Sequence, residues 1–390
     1  MFLLNKNISI LLRNFSSVSN NSVPRLDWPT NSNLNYFWCS GSLLLGVMLF
    51  QLVTGIFCAM EYLNLAKMHL FHIKPIVGEP GPVMDGLVSD VLRFSHLWGA
   101  SMVFVCLLGH MGRGLYYCSY SKNPILWSSG MLLYVVVLIE AFLGYLLPWH
   151  QMSYWAGVVI STIFLSLPVI GPHLYSFLLG SYDFGDGIVS RVFCVHVCFG
   201  FVILGLIVGH LIQLHKIGSS NSFNSGDSYS DTIFFHKGYG YKDMLVFLLF
   251  MFITILFSMY NPWVTSLKEN FISPNPLATP TNIKPEWYFL PFYAILRSIE
   301  NKIGGLIAVV MLLILTWVPV PGWHSGFESV VRRLSFWLLS GSFIFLAFLG
   351  SSEPTEFCQF VSLLTSFLFC LSMFVLKCND YIMFNTSSKS

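Results

Sequence analysis

Four histidines stand in two pairs at a single spacing: His96 and His110, then His196 and His210, each pair fourteen residues apart. In an α-helix that separation brings two side chains within about 40° of the same face and about 21 Å apart along the axis. Imidazole is a neutral ligand suited to heme iron, and the facing helices of a bundle are where such a cofactor is held. Two such helices side by side would offer two His–His sites stacked across a membrane. The plainer alternative is that each imidazole hydrogen-bonds a neighbouring helix. That explains one intramembrane histidine, but gives no reason for four at matched spacing.

Glycines repeat the same interval, with Gly41 and Gly55 in one segment and Gly130 and Gly144 in another. Glycine lets a helix backbone approach a flat macrocycle, as it lets two helices approach each other. The shared period points to clearance around the heme sites.

Residues placed at two depths of a membrane need spans to carry them. Of the 390 residues, 55% are hydrophobic, 16% aromatic and only 10% charged, against roughly 25% charged in soluble domains. Apolar runs fall at about 37–60, 91–111, 126–148, 192–214, 244–262, 303–320, 334–350 and 358–376. Each is close to the roughly 20 residues that cross the hydrocarbon. The expectation is an all-α polytopic membrane protein with eight transmembrane helices, the first four forming a four-helix diheme bundle.

The apolar stretch 151–180 is broken by Pro168, Gly171 and Pro172, and reads as helices lying along the surface. Residues 1–36 read as an N-terminal interfacial arm, since Lys6, Arg13 and Arg25 occur there among Ser and Asn. The rest divides into a diheme-binding segment 37–215, a connection 216–242 and a second helical half 243–390.

An even number of spans puts both termini on one face. That face carries twelve of the 20 Lys and Arg, while most of the 18 acids lie on the other. The positive-inside rule then turns the termini toward the matrix or cytoplasm, the negative side. A net charge of +2 without a basic run excludes a nucleic-acid surface. The nine cysteines lie mostly inside apolar runs without paired spacing, and read as small buried hydrophobes.

The segments RFSHLWGASMVFVCLLGHMGRGLYY (93–117), GYLLPWHQMSYW (144–155), Lys242–Asp243 and PEWYFLPFYAILRS (285–298) occur in an order that resembles the cytochrome b family. The unbroken chain and the fourteen-residue spacing of the second pair resemble its mitochondrial and proteobacterial branch. The resemblance implies two heme b groups, a low-potential one held by His96 and His196 and a high-potential one held by His110 and His210. Arg93 and Arg113, at the two ends of the second span, are candidates for the heme propionates or for snorkelling to the interface.

The same resemblance implies a ubiquinol-oxidation site near the positive side and a ubiquinone-reduction site near the negative side. Glu286 would accept a proton from quinol, with Tyr145, Phe142, Phe289 and Tyr293 lining that pocket. His215, Asp243, Lys242, Ser42 and Trp38 would belong to the reduction site. It further implies a Rieske iron–sulfur protein, cytochrome c1 and other complex III subunits as partners, and a homodimer among membrane lipids. The lean, Phe-rich composition, with 36 Phe, points to the mitochondrial inner membrane, where the positive-inside count turns the termini to the matrix side.

Some residues depart from the pattern. His150 stands where relatives usually have Gly, and Lys237 and Glu300 where they often have Pro. The connection between the first two spans is also long. Glu140, an acid deep in the third span, is open to two readings: a neutral hydrogen-bonded structural group or part of a proton path. The rival function is a proton-coupled secondary transporter, in which histidines and Glu140 would relay protons. Such proteins tend to show internal repeats, and none is visible here.

Overall fold

The computed structural model describes residues 29–62, 87–181, 184–220, 232–260, 262, 267–320 and 329–387. Most of the expected interfacial arm, the long connection after the first span with His69 and His72, part of the 216–242 connection, and His324 lie outside the described residues.

The first half contains α1 (Ser40–Glu61), α2 (Leu87–Tyr116), α3 (Pro124–Leu146), the shorter α4 (Gln151–Leu165) and α5 (Gly171–Leu179), and α6 (Asp186–Ile217). The second half contains α7 (Tyr241–Tyr260), α8 (Leu290–Ser298), α9 (Lys302–Trp317), α10 (Val330–Ser351) and α11 (Glu356–Ser387). All eight expected spans therefore have a helix. Among the described residues, seven are long and apolar enough to cross a membrane, while α9 is a shorter apolar helix of 16 residues. At 1.5 Å per residue, α9 extends about 24 Å.

Local chemistry sets the helix ends. Asn123 accepts from Leu126 N at 3.0 Å ahead of Pro124 at the first turn of α3, where a missing N–H costs nothing. Asn301 and Ser329 cap α9 and α10 in the same way. α4 starts with a capping box: His150 Nδ1 accepts from Ser153 N at 3.1 Å, and Ser153 Oγ accepts from His150 N at 2.9 Å. His150 thus acts as an N-cap, a position a glycine fills less well. Gln151 then ties α4 to the connection after α7, donating to Ala278 O and accepting from Asn275 N, both at 2.6 Å.

The all-α expectation holds, with one small ribbon beside the helices. β1 (Pro29–Asn31) pairs antiparallel with β2 (Thr232–Phe234), so the end of the N-terminal arm is joined to the connection before α7. Tyr239 reinforces the join, accepting from Leu34 N at 3.2 Å and donating to Asn31 O at 2.5 Å.

In the first half, α1 packs on α2, α3 packs on α6, and α1 also touches α6. α2 and α6, which carry the histidines, do not pack along one another. Between the two histidine levels the bundle is filled by buried Val47, Phe104, Val137 and Ile203, one from each helix. A second core joins α8, α10 and α11 to the end of α2 around Leu115, Ile295, Leu346, Met373 and Leu376.

Beside the C-terminal end of α2, Arg332 and Asp380 form an ion pair at 2.8 Å, each side chain 1% exposed. Arg332 also donates to Tyr116 O at 2.7 Å and to Leu115 O, satisfying the terminal carbonyls of α2. Asp380 accepts from Tyr120 as well.

Candidate heme and quinone sites

Each of the four histidines meets a partner from the neighbouring helix through Nδ1. His96 Nδ1 contacts Thr54 Oγ1 at 3.0 Å, and His110 Nδ1 contacts Ser40 Oγ at 3.1 Å. His210 Nδ1 contacts Ser129 Oγ at 2.7 Å, and His196 Nδ1 lies 3.1 Å from the backbone oxygen of Glu140. An imidazole fixed through Nδ1 presents Nε2 as its ligating atom, the arrangement in which an outer partner sets tautomer and ring orientation.

The glycines prove to be the histidines' own neighbours. An added Cβ would stand 3.3 Å from His110 Cε1 at Gly41, 3.0 Å from His96 Cε1 at Gly55, 3.1 Å from His210 Cε1 at Gly130 and 2.7 Å from His196 Cε1 at Gly144. The clearance on α1 and α3 is therefore filled by imidazoles.

The spacing of His96 and His196 suits a shared metal. The His96 and His196 ring centres are 6.3 Å apart with planes at 85°. Two imidazoles that share one metal at metal–nitrogen lengths of about 2 Å can have ring centres no more than about 6 Å apart. At the other level, Arg113 acts electrostatically on both His110 and His210. Its Nε is buried without a hydrogen-bond partner, and its guanidinium lies 5.3 Å from the Trp38 ring. A buried, unsatisfied guanidinium nitrogen beside two candidate ligand histidines suits an anionic substituent of a cofactor. Arg93 acts on His150 and lies 5.2 Å from the Phe94 ring.

The PEWY segment packs against Phe104 of α2 and Phe142 of α3. Glu286 precedes a short helical turn, Trp287–Phe289, that leads into α8. Tyr288 stacks on Phe104 at 3.8 Å, and Phe289 meets Phe142 edge-on at 6.3 Å. Burial lifts the Glu286 carboxyl to about 7 and raises the Tyr288 phenol well above its usual range. Tyr145 shares that electrostatic neighbourhood and packs on His150 at 5.5 Å. Tyr293 lies under the Arg297 guanidinium at 5.4 Å. Burial depresses His150 to about 3, with Arg93 acting in the same direction.

At the other end of the bundle, Asp243 lies beside Cys39 and Ser42. Trp38 Nε1 donates to Ser220 O at 2.9 Å, and Lys242 Nζ lies over Tyr239 and Tyr36 at 5.2 and 5.6 Å. These groups share one end of the bundle, where a single π-helical turn, His236–Gly240, precedes α7. His215 sits exposed in the last turn of α6.

Sequence reasoning missed Ser40, Thr54 and Ser129. A signal for them existed, because each directly precedes one of the period-fourteen glycines. Leu143 precedes Gly144, and there the pattern fails.

The bundle and its matched histidines define an integral membrane cytochrome. The sequence profile described as "Cytochrome b/b6/petB" matches residues 25–218, and "Cytochrome b(C-terminal)/b6/petD" matches residues 273–370. Cytochrome b of Brachionus plicatilis is 38% identical over 356 residues, covering 89% of this chain and 92% of its own. Cytochrome b of Rickettsia prowazekii (strain Madrid E) is 36% identical over 341 residues, covering 84% and 83%. A chain of a hyperthermophilic respiratory Complex III superposes with a TM-score of 0.82 at 26% identity, over 92% of this chain and 94% of that one. The chain belongs to the cytochrome b family, of the type found in respiratory complex III.

Proposed function

We propose that this chain is the diheme subunit of a ubiquinol–cytochrome c oxidoreductase, oxidising quinol near the positive side and reducing quinone near the negative side in a Q cycle. The observation that carries the reading is that four histidines lie in two levels, each held through Nδ1 by an acceptor on α1 or α3. Bound between them, two heme b groups would supply one-electron carriers stacked across the membrane.

The chain's own residues do the binding and the proton work. His96 and His196 would hold the low-potential group, and His110 and His210 the high-potential one. Gly41, Gly55, Gly130 and Gly144 keep the α1 and α3 backbones clear of the four imidazoles. Arg113 and Arg93 would receive propionates.

At the positive side, Glu286 in its unprotonated form would take the proton of a quinol hydroxyl. Phe142, Tyr145, Phe289 and Tyr293 would flank the ring and exclude water. A carboxyl held near 7 accepts and releases a proton at the working pH, as general base catalysis requires. At the negative side, Asp243, His215 and Lys242 would deliver protons to reduced quinone, with Ser42 and Trp38 shaping that end.

We place the chain in the mitochondrial inner membrane with its termini on the matrix side, as a homodimer with a Rieske protein, cytochrome c1 and other complex III subunits. The segments 1–36, 37–215, 216–242 and 243–390 then serve as arm, diheme unit, connection and quinol-site half. Purifying the native assembly tests this: two b-type hemes per chain and quinol-dependent cytochrome c reduction are expected. An assembly without b-type heme would contradict it.

A further inference from the structure

We infer that Glu140 is a positioning residue that makes the positive-side heme site chemically unlike the negative-side one, by giving its axial ligand His196 a carboxyl partner. The inference rests on the heme reading above and goes beyond it.

Three of the four histidines are held by a hydroxyl that precedes a glycine: Ser40 before Gly41, Thr54 before Gly55 and Ser129 before Gly130. At the fourth histidine, His196, the residue preceding the glycine is Leu143, which has no polar group to offer. Glu140 lies one turn earlier on α3, and its Oε1 is 3.1 Å from His196 Nδ1. The backbone oxygen of the same residue stands at an equal 3.1 Å. His196 thus directs one N–H toward two oxygens of a single residue.

The carboxyl sits beside the α6 backbone, where Gly200 leaves room for it. Glu140 Oε1 lies 3.8 Å from where a Cβ on Gly200 would be, one turn after His196 on α6. Its Oε2 is buried without a hydrogen-bond partner. A deep-span acid with one oxygen on a ligand imidazole and the other unused has no structural hydrogen-bond network to account for it.

A carboxyl oxygen accepting Nδ1–H draws electron density onto the ring more strongly than a serine or threonine hydroxyl, and so makes Nε2 the more basic donor. A more basic ligand favours the oxidised iron. Glu140 would therefore lower the reduction potential of the positive-side heme alone. The drop in potential from that level to the next would widen, favouring transfer toward the negative side.

The test is a potentiometric titration of both b-type absorption bands in membranes carrying the assembled complex, unmodified and with Glu140→Gln. Two bands in the unmodified complex establish the heme reading; their absence would defeat that reading rather than this one. With both present, the oxidised-to-reduced ratio of the low-potential component at fixed ambient potential should fall about tenfold in the variant, 59 mV for one electron. The high-potential component should not move. An unchanged low-potential midpoint, or both components moving together, would overturn the inference. If the variant fails to retain heme, the redox-difference infrared spectrum of the unmodified complex decides. A carboxyl band that follows only the low-potential heme supports the assignment, and its absence refutes it.

Discussion

Gly144 of α3 faces His196 of α6 so closely that an added Cβ would stand 2.7 Å from the imidazole Cε1, with Nε2 at 3.2 Å. No ring can stay at that separation. Gly144→Ala should therefore displace His196, at a strain of about 1–3 kcal/mol, and deplete the positive-side heme. Gly41→Ala, at 3.3 Å from His110, should be tolerated better. Heme absorbance per chain in membranes checks the ordering. Equal loss in both variants would show that the glycines act through general helix packing.

Much of this site was legible in the sequence, and the rest was not for identifiable reasons. His96, His110, His196 and His210 announced two levels because helical periodicity converts spacing directly into depth. The glycines shared the period, yet their facing partners are histidines on other helices, which no single-chain spacing reveals. Thr54 and Ser129 were hidden because intrahelical serine and threonine bonds are common in membrane helices, and Thr54 does donate to Phe50 O at 2.9 Å. The Arg332–Asp380 pair joins residues 48 positions apart on different helices, so only the fold shows it. Helix ends extended past the apolar runs, as at Asp186, because polar residues continue a helix beyond the hydrocarbon.

Glu286 carries a pH prediction. Burial keeps the carboxyl neutral up to about 7, above its ordinary value of 4.5. Only the unprotonated form accepts a proton, so quinol oxidation should slow as pH falls through about 7 and level off above it. Glu286→Gln preserves volume but removes the acceptor, and should slow that step by roughly 10²–10⁴-fold while abolishing the pH limb. Reduction of the b hemes through the negative-side site should survive. Stopped-flow reduction by quinol across this pH range is the measurement; unchanged rates would remove Glu286 from proton transfer.

The buried ion pair predicts a stability cost. Asp380→Asn leaves the Arg332 guanidinium in a site where both partners are 1% exposed. Removing one member of such a pair typically costs about 3–5 kcal/mol, because the other is left uncompensated. The thermal midpoint of the purified complex should drop, and the double variant Asp380→Asn with Arg332→Gln should recover part of the loss. A midpoint unaffected by Asp380→Asn would show that other acceptors satisfy Arg332.

Ser129 offers a subtler change. Its Oγ is 2.7 Å from His210 Nδ1, the shortest of the four Nδ1 contacts. Ser129→Ala should loosen the ring and weaken heme retention at the negative-side level by about 10–100-fold, with the other level intact. Competition with an apo-heme acceptor measures it, and equal retention at both levels would make the hydroxyl dispensable.

Pairing of α2 with α6 across two shared irons is tested most directly by the reduced-minus-oxidised visible spectrum of membranes in which His210 is replaced by leucine. The unmodified complex should show two b-type components that titrate at different potentials. The variant should lose the high-potential component and keep the low-potential one, since His96 and His196 remain 6.3 Å apart. Retention of both components in the variant would contradict the pairing.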